Sequence, residues 1–141
     1  WMRAVGFMRK LTSHIVNPAN DKLTIAVLDQ PGCGGANHRY DITGFDTENN
    51  PIATDAAGYK ASFGRTVIVF QNGPINEVGV NGITHEALLA ILEDRLVGFQ
   101  SGKFANDYNA KALEHVRAAQ AVLQERTRER MARQVEGTHA V

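Results

Sequence analysis

The chain has 141 residues, 43% of them hydrophobic and 21% charged, ordinary values for a soluble globular protein and enough for one domain with an appended motif. Basic and acidic side chains number 15 each, and the balance holds along the chain, with seven of each in residues 1–83 and eight of each in 84–141, so the basic excess of a general nucleic-acid binder is missing. A single cysteine excludes an intrachain disulfide and suits a reducing cytoplasm, and no apolar run approaches the ~20 residues of a membrane span.

Residues 2–20 carry little pattern. The start, Met2 to Lys10, is broken by charge too soon to read as a signal peptide, and Trp1 ahead of Met2 is set aside as foreign to the natural chain. Asn17-Pro18-Ala19-Asn20-Asp21 is a turn signal. Leu23 to Leu28 is β-branched and apolar and predicts a strand. A glycine-rich loop, Pro31 to Asn37, separates it from an alternating second strand at Tyr40 to Phe45, and the two suit a hairpin with a long loop. Residues 46–64 are polar and turn-rich and read as a long excursion with a short hairpin around Gly58. Thr66-Val67-Ile68-Val69-Phe70 is the clearest strand of the chain, ended by Gln71-Asn72-Gly73-Pro74. Gly79-Val80-Asn81-Gly82-Ile83 brackets a turn. Residues 1–83 are therefore expected to form a small antiparallel sheet of three or four strands, marginal by itself.

Residues 84–141 predict an antiparallel two-helix hairpin, so the fold class is α+β. Thr84 is a good N-cap and Glu86 sits in the first turn, where a carboxylate suits the helix dipole. Leu88, Ile91, Leu92, Leu96 and Phe99 recur at helical spacing and make one apolar face. Gln100-Ser101-Gly102 stops the helix. The second helix starts near Asn106-Asp107, carries Leu113, Val116, Ala119, Leu123 and Met131 on one side, and meets neither Gly nor Pro until Gly137. The short connection predicts antiparallel packing.

Arg126, Arg130 and Arg133 follow at i, i+4, i+7 and share a face, while Phe99 and Asn109 flank the bend. An aromatic ring, an amide and arginines together match the needs of a nucleotide: a stacking surface, hydrogen bonds to the base edge and forks for phosphate. Asn109 and Arg126, however, lie on one helix, about 25 Å apart at ~1.5 Å per residue. One chain cannot close these residues around a small nucleotide, whereas two antiparallel hairpins can. The bland alternative is an oligomerising hairpin with Phe99 in the core and solvated arginines, since Glu125 and Glu129 stand at salt-bridge spacing from Arg128, Arg126 and Arg133.

Other chemistry has little support. The glycine-rich loop precedes a strand rather than a helix and lacks a Lys-Ser/Thr ending, so it fits neither a P-loop nor a dinucleotide fingerprint. Cys33 and His38 lack the further ligands of a zinc site, and His14, His85, His115 and His139 are scattered. No nucleophile–base frame is recognisable. Neither catalysis nor a metal nor a cofactor is expected.

Phe70-Gln71-Asn72-Gly73-Pro74-Ile75, Gly79-Val80-Asn81-Gly82-Ile83-Thr84 and Glu86-Ala87-Leu88-Leu89-Ala90-Ile91 resemble the core of the first-described Thoeris anti-defence family of phage proteins. The resemblance continues through Arg95-Leu96, Phe99-Gln100, Gly102, Phe104-Ala105, Asn109-Ala110 and Ala112-Leu113. It closes with Arg126-Thr127, Arg130, Arg133 and Val135-Glu136-Gly137-Thr138-His139. A similar hairpin occurs in phage anti-CBASS proteins that bind cyclic oligonucleotides. The resemblance implies a non-enzymatic sponge that holds glycocyclic ADP-ribose, the signal made by Thoeris TIR proteins, and that also takes CBASS cyclic trinucleotides at a separate site. It implies a homo-oligomer built from dimers, a hexamer being the expected form, in the cytoplasm of the infected bacterial host. Carried over by motif, the signal pocket between subunits uses Phe99 for adenine stacking, Asn109 for polar recognition, and Arg126 and Arg130 for phosphate and base contacts. The trinucleotide pocket uses Gly82, Thr84 and Arg133. The sequence departs from the family pattern at Gln134, where glycine is expected, at Lys103 and Asn106 in the bend, and at Gly98, a weak helix former just before Phe99.

Overall fold

The computed structural model describes residues 9–61 and 64–133; the N-terminal stretch through Met8, Gln134 and the tail motif at residues 135–139 lie outside them. The chain divides into two compact units, residues 1–72 and 73–141.

The first unit is a four-stranded antiparallel sheet in sequential order. It comprises β1 (Arg9–Leu11), β2 (Thr24–Val27), β3 (Arg39–Thr43) and β4 (Arg65–Val69). A one-turn helix, α1 (Pro18–Asp21), is capped by Asn17, whose side chain accepts the Asn20 N–H at 3.0 Å. Three strands fall where β-branched runs predicted them. The short β1 has no such pattern and owes its conformation to pairing with β2, Arg9 opposite Val27 and Leu11 opposite Ile25.

Register sorts the side chains by chemistry. Leu11, Ile25, Val27, Tyr40, Ile42 and Ile68 share one face, because Ile25 pairs with Ile42, Val27 with Tyr40, and Tyr40 with Ile68. Val27 is fully buried there, and the Tyr40 ring meets Phe70 edge-on at 5.7 Å. The opposite face carries Arg39, Asp41 and Arg65. Asp41 is buried, and its carboxylate accepts from Arg39 Nε at 3.3 Å and from Arg65 Nε at 2.6 Å.

The glycine-rich loop joins β2 to β3 and is pinned by polar side chains. The Asp29 carboxylate accepts the backbone N–H groups of His38 (2.8 Å) and Arg39 (3.1 Å). Asn37 donates to the Asp29 carbonyl and accepts from Arg9, both at 2.6 Å. Residues 46–61 form the expected excursion. Thr54 bridges Lys60, and Asp55 Oδ1 accepts from Ala57 and Tyr59 around Gly58. Gly44 ends β3 with φ at +92°, and a Cβ there would stand 1.8 Å from the Lys22 carbonyl oxygen.

The second unit contains the one-turn α2 (Ile75–Val78) and two long helices, α3 (His85–Gln100) and α4 (Asp107–Ala132). Thr84 caps α3 by accepting the Ala87 N–H at 3.2 Å. Asn106 caps α4 by accepting the Asn109 N–H at 2.8 Å, and its own N–H donates to Gln100 Oε1 at 3.0 Å.

The helices meet along stripes that differ from the most apolar ones. On α4 the more buried positions are Asn109, Leu113, Val116, Gln120, Leu123, Thr127 and Arg130, alternating four and three residues apart. Ala119 and Met131, expected on this side, are exposed. On α3 the more buried positions are Glu86, Leu88, Leu89, Glu93, Leu96 and Gln100. A polar layer crosses the middle of the seam. Arg117 Nε donates to Glu93 Oε2 at 2.9 Å, and Gln120, with its amide nitrogen turned toward α3, donates to Glu93 Oε1 at 3.1 Å.

Two stability outcomes follow from these contacts. Gly44→Ala should destabilise the protein by about 3 kcal/mol or more, through strain at positive φ and collision with Lys22, as read by urea denaturation. Asn106→Ala should cost about 1 kcal/mol through loss of the α4 cap, with Asn106→Asp restoring most of it in the same assay.

Candidate functional site

The hairpin has two ends with different chemistry. At the bend, residues 101–106 join the helices, and α3 closes on a Ser101 N–H donating to Val97 O at 3.0 Å. Phe99 is 40% exposed. The apolar face of α3 that the spacing defines is thus only partly turned inward: Leu88 and Leu96 are half-buried, whereas Ile91 is 61% exposed, Leu92 48%, and Phe99 lies on the same outward side. The core placement of Phe99 in the bland alternative does not hold within this chain. Its ring instead carries the Arg95 guanidinium, 5.4 Å from the centroid and one helical turn earlier. Arg95, Gly98, Phe99, Gly102 and Phe104 line an open cleft of about 290 Å³. Sequence reasoning assigned no role to Arg95 or Phe104; the i, i+4 spacing of Arg95 and Phe99 is the signal that points to the first.

Asn109 sits in the first turn of α4, half-buried at the head of its inward stripe and close in sequence to the bend. It does not line the cleft. The other nominated residues lie at the far end of α4. Arg126 is exposed, whereas Arg130 is only 5% exposed, so the three arginines do not share one solvated face. Arg133 follows the last helical residue, and its Nη2 donates to Glu129 at 3.3 Å, the i, i+4 pair that the spacing suggested.

With Glu93 facing Arg117 and Gln120, the antiparallel register carries the start of α3 alongside the arginine end of α4. Gly82 and Thr84 therefore belong to that end. The Thr84 hydroxyl accepts the Ala87 N–H and keeps its own proton available for donation.

The nominated residues thus fall into two groups. Phe99 and Asn109 belong to the bend, and Gly82, Thr84, Arg126, Arg130 and Arg133 to the opposite end. The uninterrupted α4 holds Asn109 and Arg126 roughly 25 Å apart at 1.5 Å per residue. Among the described residues, no group of three or more His, Cys, Asp or Glu is placed to hold a metal ion, and no helix is long and apolar enough to cross a membrane.

Comparison with known proteins bears on the same stretch. Residues 64–128 match the family model described as "Acb2/Tad1, hairpin domain". The chain is also similar to Thoeris anti-defense 1 of Bacillus phage SBSphiJ7, with 44% identity over 70 residues. That alignment covers 50% of this chain and 49% of the relative, so the chain spans about half the length of the curated relative it matches. Residues 64–128 carry the hairpin domain of the Acb2/Tad1 family, and over half its length the chain is a homologue of Thoeris anti-defense 1.

Proposed function

We propose that the protein is an anti-Thoeris sponge, which binds glycocyclic ADP-ribose intact and keeps it from its effector. The observation that carries this reading is the opposed placement of an exposed aromatic residue and an arginine cluster on a hairpin of this family. In this reading Phe99 stacks the adenine, Asn109 contacts its polar edge, and Arg126 and Arg130 from a second copy hold phosphate and base. Two antiparallel copies would bring the bend of one beside the arginine end of the other. The outward apolar residues Ile91 and Leu92 give such a copy a surface to cover. The assembly is then a homo-oligomer built from dimers, with a hexamer as the expected form.

A sponge must outcompete an effector, so its affinity should be nanomolar, about −12 kcal/mol. Desolvated stacking and charge-assisted hydrogen bonds supplied by two chains suit that requirement. Cyclic trinucleotides would occupy a second site at Gly82, Thr84 and Arg133. No bond of the ligand is broken, and the protein works in the cytoplasm of the infected bacterial host.

One observation favours a second reading, an oligomeric scaffold without a nucleotide ligand. The Arg133–Glu129 and Arg117–Glu93 pairs are what charged helix faces ordinarily make.

Calorimetric titration with glycocyclic ADP-ribose, followed by heat denaturation and chromatography of the released ligand, separates the readings. Tight binding with intact ligand recovered is expected, and a chemically altered ligand would replace the sponge with an enzyme. Failure to bind this signal or any cyclic trinucleotide would leave the scaffold. Phe99→Ala and Arg126→Ala should each abolish binding while sedimentation shows an unchanged oligomer; persistent binding would move the pocket elsewhere.

A further inference from the structure

The N-cap of α4 is completed from α3. In a capping box the N-cap side chain accepts the N–H of the third helical residue, and that residue's side chain accepts the N-cap N–H in return. The first half is present here, since Asn106 Oδ1 accepts the Asn109 N–H at 2.8 Å. Asn109, the third residue of α4, does not make the return bond. The Asn106 N–H donates instead to Oε1 of Gln100, the last residue of α3, at 3.0 Å. Asn109 is thereby released from the cap, and its half-buried side-chain amide makes no hydrogen bond among the described residues.

Stability alone gives little reason for this change of partner. Asn106 is exposed, so water would satisfy its N–H as well as Gln100 does. What the Gln100 bond adds is position. Residues 101–108 are all exposed, and no buried side chain anchors the bend. Its other hydrogen bonds are short in sequence. Gly102 N–H donates to Phe99 O at 3.4 Å, Ala105 N–H to Gly102 O at 3.2 Å, and Asn106 Nδ2 to Phe104 O at 3.0 Å. The Gln100 bond instead runs from the half-buried end of α3 directly to the cap of α4. Phe99 stands one residue before it, and Asn109 one cap bond beyond it.

We infer that Gln100 is a positioning residue of the signal site: by taking the Asn106 N–H it sets α4 against the end of α3 and leaves the Asn109 amide free for the ligand. An amide oxygen turned back to its own cap has less to offer a base edge, whereas an untied amide presents an acceptor and two donors. Holding that amide in place relative to Phe99 before the ligand arrives reduces what must be ordered on binding. This inference rests on the reading of the chain as a sponge whose pocket includes Phe99 and Asn109, and it adds the residue that positions them.

Gln100→Met removes the acceptor and keeps the length and apolar stem of the side chain. Wild type, Gln100→Met, Gln100→Glu, Asn109→Ala and the Gln100→Met/Asn109→Ala double variant are titrated with glycocyclic ADP-ribose by calorimetry, each with a Tm measured without ligand. Gln100→Met should fold, with Asn109 turning back to close the capping box, and bind about tenfold more weakly or worse. Gln100→Glu keeps the acceptor and should bind like the wild type. Asn109→Ala should weaken binding without lowering Tm in the wild-type background. In the Gln100→Met background it should lower Tm and weaken binding little further. Wild-type affinity in Gln100→Met overturns the inference, as do additive binding losses in the double variant. Equal losses in Gln100→Glu and Gln100→Met overturn it too, because the bond is then not what matters. A Tm lowered by Asn109→Ala alone also overturns it, since the amide then already serves the fold. Asn109→Ala with wild-type affinity removes the target of the positioning while Phe99→Ala still tests the sponge. A wild type that binds no glycocyclic ADP-ribose removes the sponge reading itself, and the inference with it.

Discussion

The uninterrupted length of α4 is the constraint on which the functional half of the molecule depends. Twenty-six residues of helix extend roughly 39 Å at 1.5 Å per residue. The 16-residue α3 returns along it and is tied to it by a short bend. A rod of this kind cannot fold its ends together. Aromatic and amide groups at the bend and guanidinium groups at the far end stay apart in every conformation that keeps the helix. A ligand shorter than the rod sees half of this inventory on any one chain. The need for a second copy in a pocket made from these residues follows from helix length before any side-chain chemistry is considered.

The distribution of apolar residues around the hairpin points the same way. The seam between α3 and α4 contains leucines and a valine, but also Glu93, Arg117 and Gln120, joined by hydrogen bonds. A polar layer inside a helix interface weakens it relative to an apolar layer and fixes its register, because a shift by one turn strands the carboxylate. Meanwhile Ile91, Leu92 and Phe99 face outward. Polar matching thus helps to specify the seam alongside its leucines and valine, and Ile91, Leu92 and Phe99 stay exposed on α3. This differs from the usual amphipathic hairpin, in which the apolar stripes of both helices meet each other.

The difference also marks the limit of what the sequence conveys. The three longer strands, the hairpin, and the caps at Thr84 and Asn106 were legible because each rests on local chemistry: β-branched runs, helical periodicity, and an oxygen acceptor before a helix. β1 was not legible, since three residues have no periodicity of their own and its strand exists through pairing with β2. The one-turn helices α1 and α2 fell within turn-rich stretches and are too short to show a period. Periodicity located the apolar residues of α3 but could not say which of them face α4: Leu88 and Leu96 are half-buried, while Ile91, Leu92 and Phe99 are exposed. The spacing of Asn109, Leu113, Val116, Gln120, Leu123, Thr127 and Arg130 identifies the inward side of α4 once polar residues are admitted to it. An apolar-only reading substitutes Ala119 and Met131, which are exposed. The same bias places Arg130 with its exposed neighbour Arg126.

That separation of the arginines has energetic consequences for any anion they would hold. Arg130 is already withdrawn from water, so much of its side-chain freedom is lost before a ligand arrives, and hydrogen bonds it makes in that setting are less weakened by solvent. Arg126 is exposed by comparison, and ordering it against a ligand would cost rotamer entropy, roughly 0.5–1.5 kcal/mol for such a side chain. Arg133 is held near Glu129 and must exchange that pair to reach another anion. Although the three share a residue type and a regular spacing, their burial differs, and an anion held by Arg130 would meet a side chain already largely ordered. In such a site the exposed Arg126 would act chiefly through long-range attraction, and Arg133 would first have to exchange its pair with Glu129. A pocket drawing on Arg126 and Arg130 from one chain therefore joins a fixed anchor to an adaptable arm.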